Sequence, residues 1–151
     1  GITRKEAHDF IEKYFISYPN IKTFMDQTIA FCEEHGYVET LFHRRRYIKE
    51  INDKNYMMRE FGKRAAMNAP IQGSAADLIK LAMIQIYKKM QEENVTSRMI
   101  LQIHDELIFD VCEEEIDIMK KIVEEGMQNA MKLKVPLVAE AAIGKTWYDA
   151  K

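Results

Sequence analysis

Two apolar runs, Met99-Ile100-Leu101 and Leu107-Ile108-Phe109, flank three consecutive ionisable residues, His104-Asp105-Glu106. Runs of this length around a short polar break predict a strand, a tight turn and a strand between Arg98 and Val111. A lone two-stranded ribbon is marginal in water and needs an apolar face covered by helices. The rest of the 151-residue chain must therefore supply that cover. With 47% apolar and 10% aromatic residues it can build a core, which excludes intrinsic disorder.

Helical patterns dominate the remainder. Thr3-Arg4-Lys5-Glu6 fits a capping box. Behind it Ala7, Phe10, Ile11, Tyr14 and Phe15 recur at helical spacing, predicting an amphipathic helix over 4–17. A second helix follows Pro19, with Phe24, Met25, Thr28, Ile29 and Cys32 inward and Gly36 as its C-terminal cap. Tyr37 to Leu41 alternates and Tyr47-Ile48 lies beyond a polar break, the pattern of a short hairpin. A helix over 53–68 should halt at Pro70, and Ser74-Ala75-Ala76-Asp77 should open another, apolar on most sides from Leu78 to Ile86 and so buried. Glu113, Glu114 and Glu115 suit a helix N-terminus, with Ile116, Met119, Val123, Met127 and Ala130 as its stripe to about Lys134. Val135 to Ile143 reads as a last strand, ahead of Gly144-Lys145-Thr146-Trp147. The predicted class is α+β: helices and a small hairpin, then antiparallel strands packed on helices.

Charge is nearly balanced, 22 basic against 24 acidic residues, which excludes a uniformly cationic protein. It is not evenly spread. From His43 to Arg64, eight Lys or Arg (Arg44, Arg45, Arg46, Lys49, Lys54, Arg59, Lys63, Arg64) face three acids, with Tyr47 and Tyr56 interleaved. Phosphate binding with base stacking is the functional reading, a solvated surface the ordinary one. Residues 113–125 carry six acids against two lysines, and that face should turn away from any phosphate backbone. The longest uncharged stretch, Ala65 to Ala76, is too short to span a bilayer. Two cysteines, Cys32 and Cys112, read as reduced thiols. No secretion leader opens the chain, and a start at Gly1 suggests a processed product or a piece of something longer.

Two constellations could carry chemistry. A hairpin tip bearing Asp105 and Glu106 offers the oxygens that a hard divalent cation wants, although polar residues at a turn are ordinary. Arg64 and Asn68 stand four apart on one helix face with Gln72 beyond Pro70, residue types that pair with bases and sugar–phosphate.

Arg64-Ala65-Ala66-Met67-Asn68-Ala69-Pro70-Ile71-Gln72-Gly73-Ser74-Ala75-Ala76-Asp77, followed by Leu101-Gln102-Ile103-His104-Asp105-Glu106-Leu107, resembles the C-terminal part of the family A DNA polymerases. Gly36-Tyr37-Val38-Glu39-Thr40-Leu41 with its arginine run, Val135-Pro136-Leu137 and Gly144-Lys145-Thr146-Trp147 extend the likeness over the whole chain. The resemblance implies that residues 1–72 are the end of a fingers subdomain and 73–151 the end of a palm. It implies that Asp105 ligates catalytic Mg²⁺, that Glu106 supports the metal site and that His104 lies close to the primer terminus. Arg64, Asn68 and Gln72 would hold template–primer DNA near the insertion site, and Arg44, Arg45 and Arg46 would meet incoming template. His43 departs from the family pattern, which has Gly before the arginines, and so bears on the shape of that turn.

The family shares its two metals between the hairpin Asp and a second Asp on an earlier palm strand, and grips the dNTP from a fingers helix. None of these 151 residues matches either. The expectation is a polymerase fragment with half of the metal site, inactive alone, from a cytoplasmic, nucleoid-associated bacterial enzyme of replication and repair. The free palm edge beside the 98–111 hairpin should favour self-association. Two rival readings remain: a non-catalytic nucleic-acid binding module, and a His-Asp metal phosphohydrolase using His104 and Asp105. The second requires its dyad on helices, whereas the flanking pattern here is β.

Overall fold

The computed structural model describes residues 1–150. In chain order they form α1 (Arg4–Ser17), α2 (Pro19–His35), β1 (Tyr37–Glu39), β2 (Arg45–Tyr47), a 3-10 turn (Lys49–Asn52), α3 (Tyr56–Glu92), β3 (Arg98–Ile103), β4 (Glu106–Asp110), a second 3-10 turn (Glu113–Glu115) and α4 (Ile116–Gln128). The class is α+β, as expected. Contacts divide the chain into two compact units, Gly1–Ser74 and Ala75 onward.

In the first unit the predicted capping box is present. Thr3 Oγ1 accepts from the Glu6 N–H at 3.2 Å and Glu6 Oε2 accepts from the Thr3 N–H at 2.7 Å. The helix it opens buries no residue, contrary to the amphipathic expectation. Phe10 is 71% exposed, because α1 lies against α2 and no other element of the unit covers its apolar stripe. Helix α2 ends as predicted at Gly36, whose φ of 76° is the left-handed conformation that glycine tolerates. Of its expected inward residues Cys32 is fully buried, Met25, Thr28 and Ile29 are half-buried, and Phe24 stays exposed. Burial pushes the Cys32 thiol pKa up. Strands β1 and β2 pair antiparallel with Tyr37 opposite Tyr47 and Glu39 opposite Arg45.

Helix α3 departs most from the sequence reading. It neither halts at Pro70 nor restarts at Ser74, but runs through both for 37 residues. Proline removes one N–H, and the only intrahelical bond lost is the one to the Ala66 carbonyl. Ser74 does not cap. Its Oγ donates to the Pro70 carbonyl at 2.5 Å and accepts from the Leu41 N–H at 2.9 Å. The four-residue capping pattern was a local match whose hydroxyl found partners elsewhere. Asn55 caps the true start, accepting from the Met57 N–H at 2.9 Å.

At about 100° per residue, Gly62, Ala66, Ala69 and Gly73 fall within about 60° of one another on α3. The hairpin and the first 3-10 turn rest on this band. A Cβ on Gly62 would stand 2.8 Å from the Glu50 carbonyl carbon, and one on Gly73 would stand 2.6 Å from Thr40 Cγ2. Cys32, Val38, Ile48, Ile51, Ala66 and Ala69 close the core around that approach.

The core of the second unit joins Ala82, Ile86, Met90, Met119, Ile122 and Ala130, with Met99, Leu107 and Phe109 packed against it. Strands β3 and β4 pair antiparallel, as predicted, with Ile103 opposite Glu106 and an irregularity between Met99 and Leu101. One face of this ribbon is covered, as a two-stranded ribbon requires, while Ile100 and Leu101 remain exposed. The expectation of a buried helix from Leu78 to Ile86 holds only in part, since Ala82 and Ile86 are buried but Ile84 faces outward. Helix α4 stops at Gln128 rather than Lys134, and residues 135–143 form no strand. A strand needs an edge to pair with. Here α4 side chains take the segment's backbone groups: Gln128 Nε2 donates to the Ala139 carbonyl at 2.9 Å and Glu124 Oε1 accepts from the Ala141 N–H at 3.1 Å.

Glu113 to Glu115 precede α4 as expected, but Glu115 does not cap the helix with its side chain. Its carboxylate accepts from the Thr96 and Ser97 N–H groups at 2.8 and 2.9 Å, and from the Ser97 and Thr96 hydroxyls at 2.5 and 3.0 Å. The Ser97 hydroxyl bond leads in lowering its pKa to about 2, followed by the Thr96 N–H. The entry to α4 is thereby tied to the start of β3.

Two predictions follow from these contacts. Gly62→Ala gains about 1 kcal/mol of helix propensity but meets unyielding backbone, where overpacking costs about 1–3 kcal/mol. A net loss of stability is expected, read as a lower urea midpoint; a higher midpoint would show that the 3-10 turn yields. For Glu115 the folded pKa lies below the unfolded value. Its stabilising contribution is present above about pH 4.5 and is lost as pH falls through about 2. Glu115→Gln should flatten that part of the stability–pH curve, and an unchanged slope would assign the acid sensitivity to other carboxylates.

Candidate functional site

The continuity of α3 decides the geometry of its outer face. Because the helix passes through Pro70 without a break, Arg64, Asn68 and Gln72 stand at successive steps of four, spanning roughly 12 Å along the axis. Arg64 and Asn68 lie about 120–180° around the axis from Gly62 and Gly73, across the helix from the small-residue band, and Gln72 lies about 80–100° from them, on its flank. All three side chains are exposed. Packing the band inward therefore turns the polar row outward. The structure brings together these three expected residues, which the sequence reading had placed on either side of a helix break.

The arginine run is less uniform than its letters. Arg44 and Arg45 have partners within the first unit. Arg44 Nη2 donates to the Gly73 carbonyl at 3.1 Å and so binds the turn to α3. Arg45 Nε donates to Glu39 Oε1 at 2.9 Å, and its guanidinium lies 4.5 Å over the Tyr37 ring. The Arg45 and His43 hydrogen bonds hold the Glu39 carboxyl below its usual range. All three are exposed, and Arg46 alone among them has no side-chain hydrogen-bond or ion-pair partner among the described residues. Glu39 is a residue the sequence reading missed, yet the cross-strand pairing of an alternating hairpin would have pointed to it. His43, in the position that departs from the family pattern, adopts φ 59°. The turn thus keeps a left-handed residue although histidine replaces the glycine that suits it.

In the second unit His104 and Asp105 form a two-residue turn between Ile103 and Glu106. His104 has φ 53°, and Gln102 Nε2 donates to its carbonyl at 2.6 Å. A left-handed first turn residue is what a tight hairpin with twisted strands requires. His104, Asp105 and Glu106 are exposed, and the two carboxylates have no hydrogen-bond or ion-pair partner among the described residues. Their oxygens are open to a hard cation. They do not make a three-ligand site with His104, however. Among the described residues the one group of three close enough to hold a metal is His8, Asp9 and Glu12 on the exposed face of α1.

A second feature of α3 went unread in the sequence. Tyr56, Met57, Glu60 and Arg64 line a shallow hollow of about 250 Å³ on the outer face of its first turns. Tyr56 had been noted only as an aromatic among basic residues.

The profile of DNA polymerase family A matches residues 1–149. DNA polymerase I of Caldicellulosiruptor bescii is 53% identical over 150 residues, covering 99% of this chain and 18% of that protein. DNA polymerase I of Bacillus subtilis is 50% identical over the full chain and 17% of its own length. The chain therefore spans less than a fifth of these relatives. A solved structure described as the POL domain of Pol1 from M. smegmatis, in complex with DNA primer-template and dNTP, superposes with a TM-score of 0.95 at 40% identity. That match takes in 99% of this chain and 26% of the other. With a profile matched over nearly its whole length, the chain belongs to DNA polymerase family A.

Proposed function

We propose that these residues are part of a DNA-directed DNA polymerase, with 1–72 the end of its fingers and 73–151 the end of its palm. The reading rests first on Asp105 and Glu106: two exposed carboxylates without partners, one on the two-residue turn and one on the strand residue that follows it, braced by packed strands. Such an acid pair fits Mg²⁺, which takes one or two carboxylates together with substrate phosphates. When bound, the metal would neutralise charge developing on the transferred phosphoryl group. Asp105 serves as ligand, Glu106 holds the neighbouring charge, and His104 lies beside the primer terminus. Arg64, Asn68 and Gln72 hold duplex DNA along α3, and Arg46 meets template phosphate. A dNTP is the second substrate. The division of the chain near Ser74 supports the fingers and palm assignment. The setting is the bacterial cytoplasm and nucleoid, and no helix among the described residues is long and apolar enough to cross a membrane. Self-association through the exposed side of β3, at Ile100 and Leu101, belongs to the same proposal, with sedimentation over a concentration series as its check.

The 151 residues carry one acid hairpin, and two-metal transfer needs ions roughly 4 Å apart clamped from more than one side. The isolated chain should not extend a primer supplied with dNTPs and Mg²⁺. In a full-length polymerase containing it, Asp105→Ala should abolish synthesis while leaving DNA affinity nearly unchanged. Extension by the 151 residues alone, lost in Asp105→Ala, would sink this reading.

The arginines make a separable test. Arg46→Ala should weaken binding to duplex DNA of any sequence and reduce the salt slope by about 1 unit. Arg45→Ala should act through the Glu39 contact, loosening the hairpin more than it changes the slope. An unaltered slope in Arg46→Ala would make that residue a solvated surface charge.

A further inference from the structure

The hollow at the start of α3 continues the row of Arg64, Asn68 and Gln72 towards the helix N-terminus. Tyr56 stands eight residues before Arg64, two turns away, and both side chains line the hollow. Its ring is 68% exposed, and Met57 beside it is 78% exposed. The ring stands open at a fixed place on the first turn of α3. It is fixed because Asn55 caps the helix at that point, accepting from the Met57 and Met58 N–H groups at 2.9 and 3.4 Å. Arg59 steadies one side, its guanidinium 5.8 Å from the Tyr56 ring and its Nη1 donating to the Asp53 carbonyl at 3.0 Å.

The charges around the ring select the occupant. Glu60, the acid in the hollow, is paired with Lys63 at 3.2 Å. Arg64 has no acidic partner among the described residues and is exposed. The hollow thus presents one open aromatic face and one unneutralised guanidinium. That is the pairing used to bind single-stranded nucleic acid, in which a base stacks on a ring while a cation meets the adjoining phosphate. Within a duplex the bases stack on one another, so only a terminal pair has a face to offer the ring.

We propose that Tyr56 stacks a base of the unpaired template strand, with Arg64 on the adjoining phosphate, so that α3 binds the single-stranded overhang as well as the duplex. This rests on the reading of the outer α3 face as a DNA surface and adds a partner that the polar row alone does not require.

The test compares two probes of equal duplex length, one blunt and one with a 5′ single-stranded overhang, by fluorescence anisotropy at fixed salt. The wild-type chain should favour the overhang probe. Tyr56→Ala should lower affinity for it by about 5-fold or more, the scale of losing one base–aromatic stack, and leave the blunt probe unchanged. Tyr56→Phe should retain the preference, since stacking needs the ring and not the hydroxyl. Because the side chain is exposed, thermal unfolding of both variants should match the wild type. An overhang preference that survives Tyr56→Ala, or an equal loss on both probes, overturns the assignment of the ring to the single strand. A wild-type chain that binds duplex without preferring the overhang also overturns it but leaves the duplex reading intact. Binding to neither probe removes both.

Discussion

The structure of the first unit depends on one close approach, that of the β1–β2 hairpin and the following 3-10 turn to the backbone of α3. Gly62 and Gly73 permit it, with Ala66 and Ala69 between them. A side chain at either glycine would meet backbone carbon or a buried threonine methyl. Contact at this range lets Ser74 and the Gly73 carbonyl bond directly to the turn, through the Leu41 N–H and the Arg44 guanidinium. The same contact fixes the rotation of α3. Once the small residues face inward, Arg64 and Asn68 are turned outward, and Gln72 and Tyr56 are left exposed on the flanks, so the candidate DNA surface follows largely from the packing on the other side.

Both hairpins close through a histidine at positive φ, His43 in one and His104 in the other. A left-handed conformation costs an ordinary L-residue roughly 1–2 kcal/mol, and such cost persists where surrounding structure or function requires it. At His43 the surrounding structure answers. Thr40 accepts from the Arg44 N–H with its hydroxyl, and the His43 ring reaches Glu39. At His104 the exposed side chain contributes no comparable local bond, and the turn is held instead by the Gln102 amide, which donates to the His104 carbonyl.

Much of this was legible because it is local. A capping box, a C-terminal glycine and alternation around a turn each act within a few residues, so α1, α2 and both hairpins fell where the letters placed them. What the letters could not resolve was tertiary. Pro70 looked like a stop because, in an isolated helix, a missing N–H and a ring clash are not offset; packed on both sides of that point, α3 carries on. Ser74 looked like a cap because its actual acceptor and donor, the Pro70 carbonyl and the Leu41 N–H, become neighbours only in the fold. Residues 135–143 have strand composition, but strand formation depends on a partner edge. At the site, Asp105, Glu106 and the α3 row were readable from residue type and spacing, while the engagement of Arg45 by Glu39 and the hollow at Tyr56 required coordinates.

The two units differ in how much of their proposed task they contain. In the first, the elements that orient Arg46, Arg64, Asn68, Gln72 and Tyr56 all lie within the unit, so the surface is formed before any ligand arrives. Preorganised cations gain from phosphate contact without a further ordering cost. In the second, Asp105 and Glu106 are held at a defined turn but supply too few ligands to fix a cation, which must draw the rest from phosphate, water or another carboxylate. DNA binding and metal-dependent chemistry are therefore separable parts of the proposed function. Loss of a carboxylate should act on the chemistry, and loss of an α3 side chain should act on where and how the strand lies.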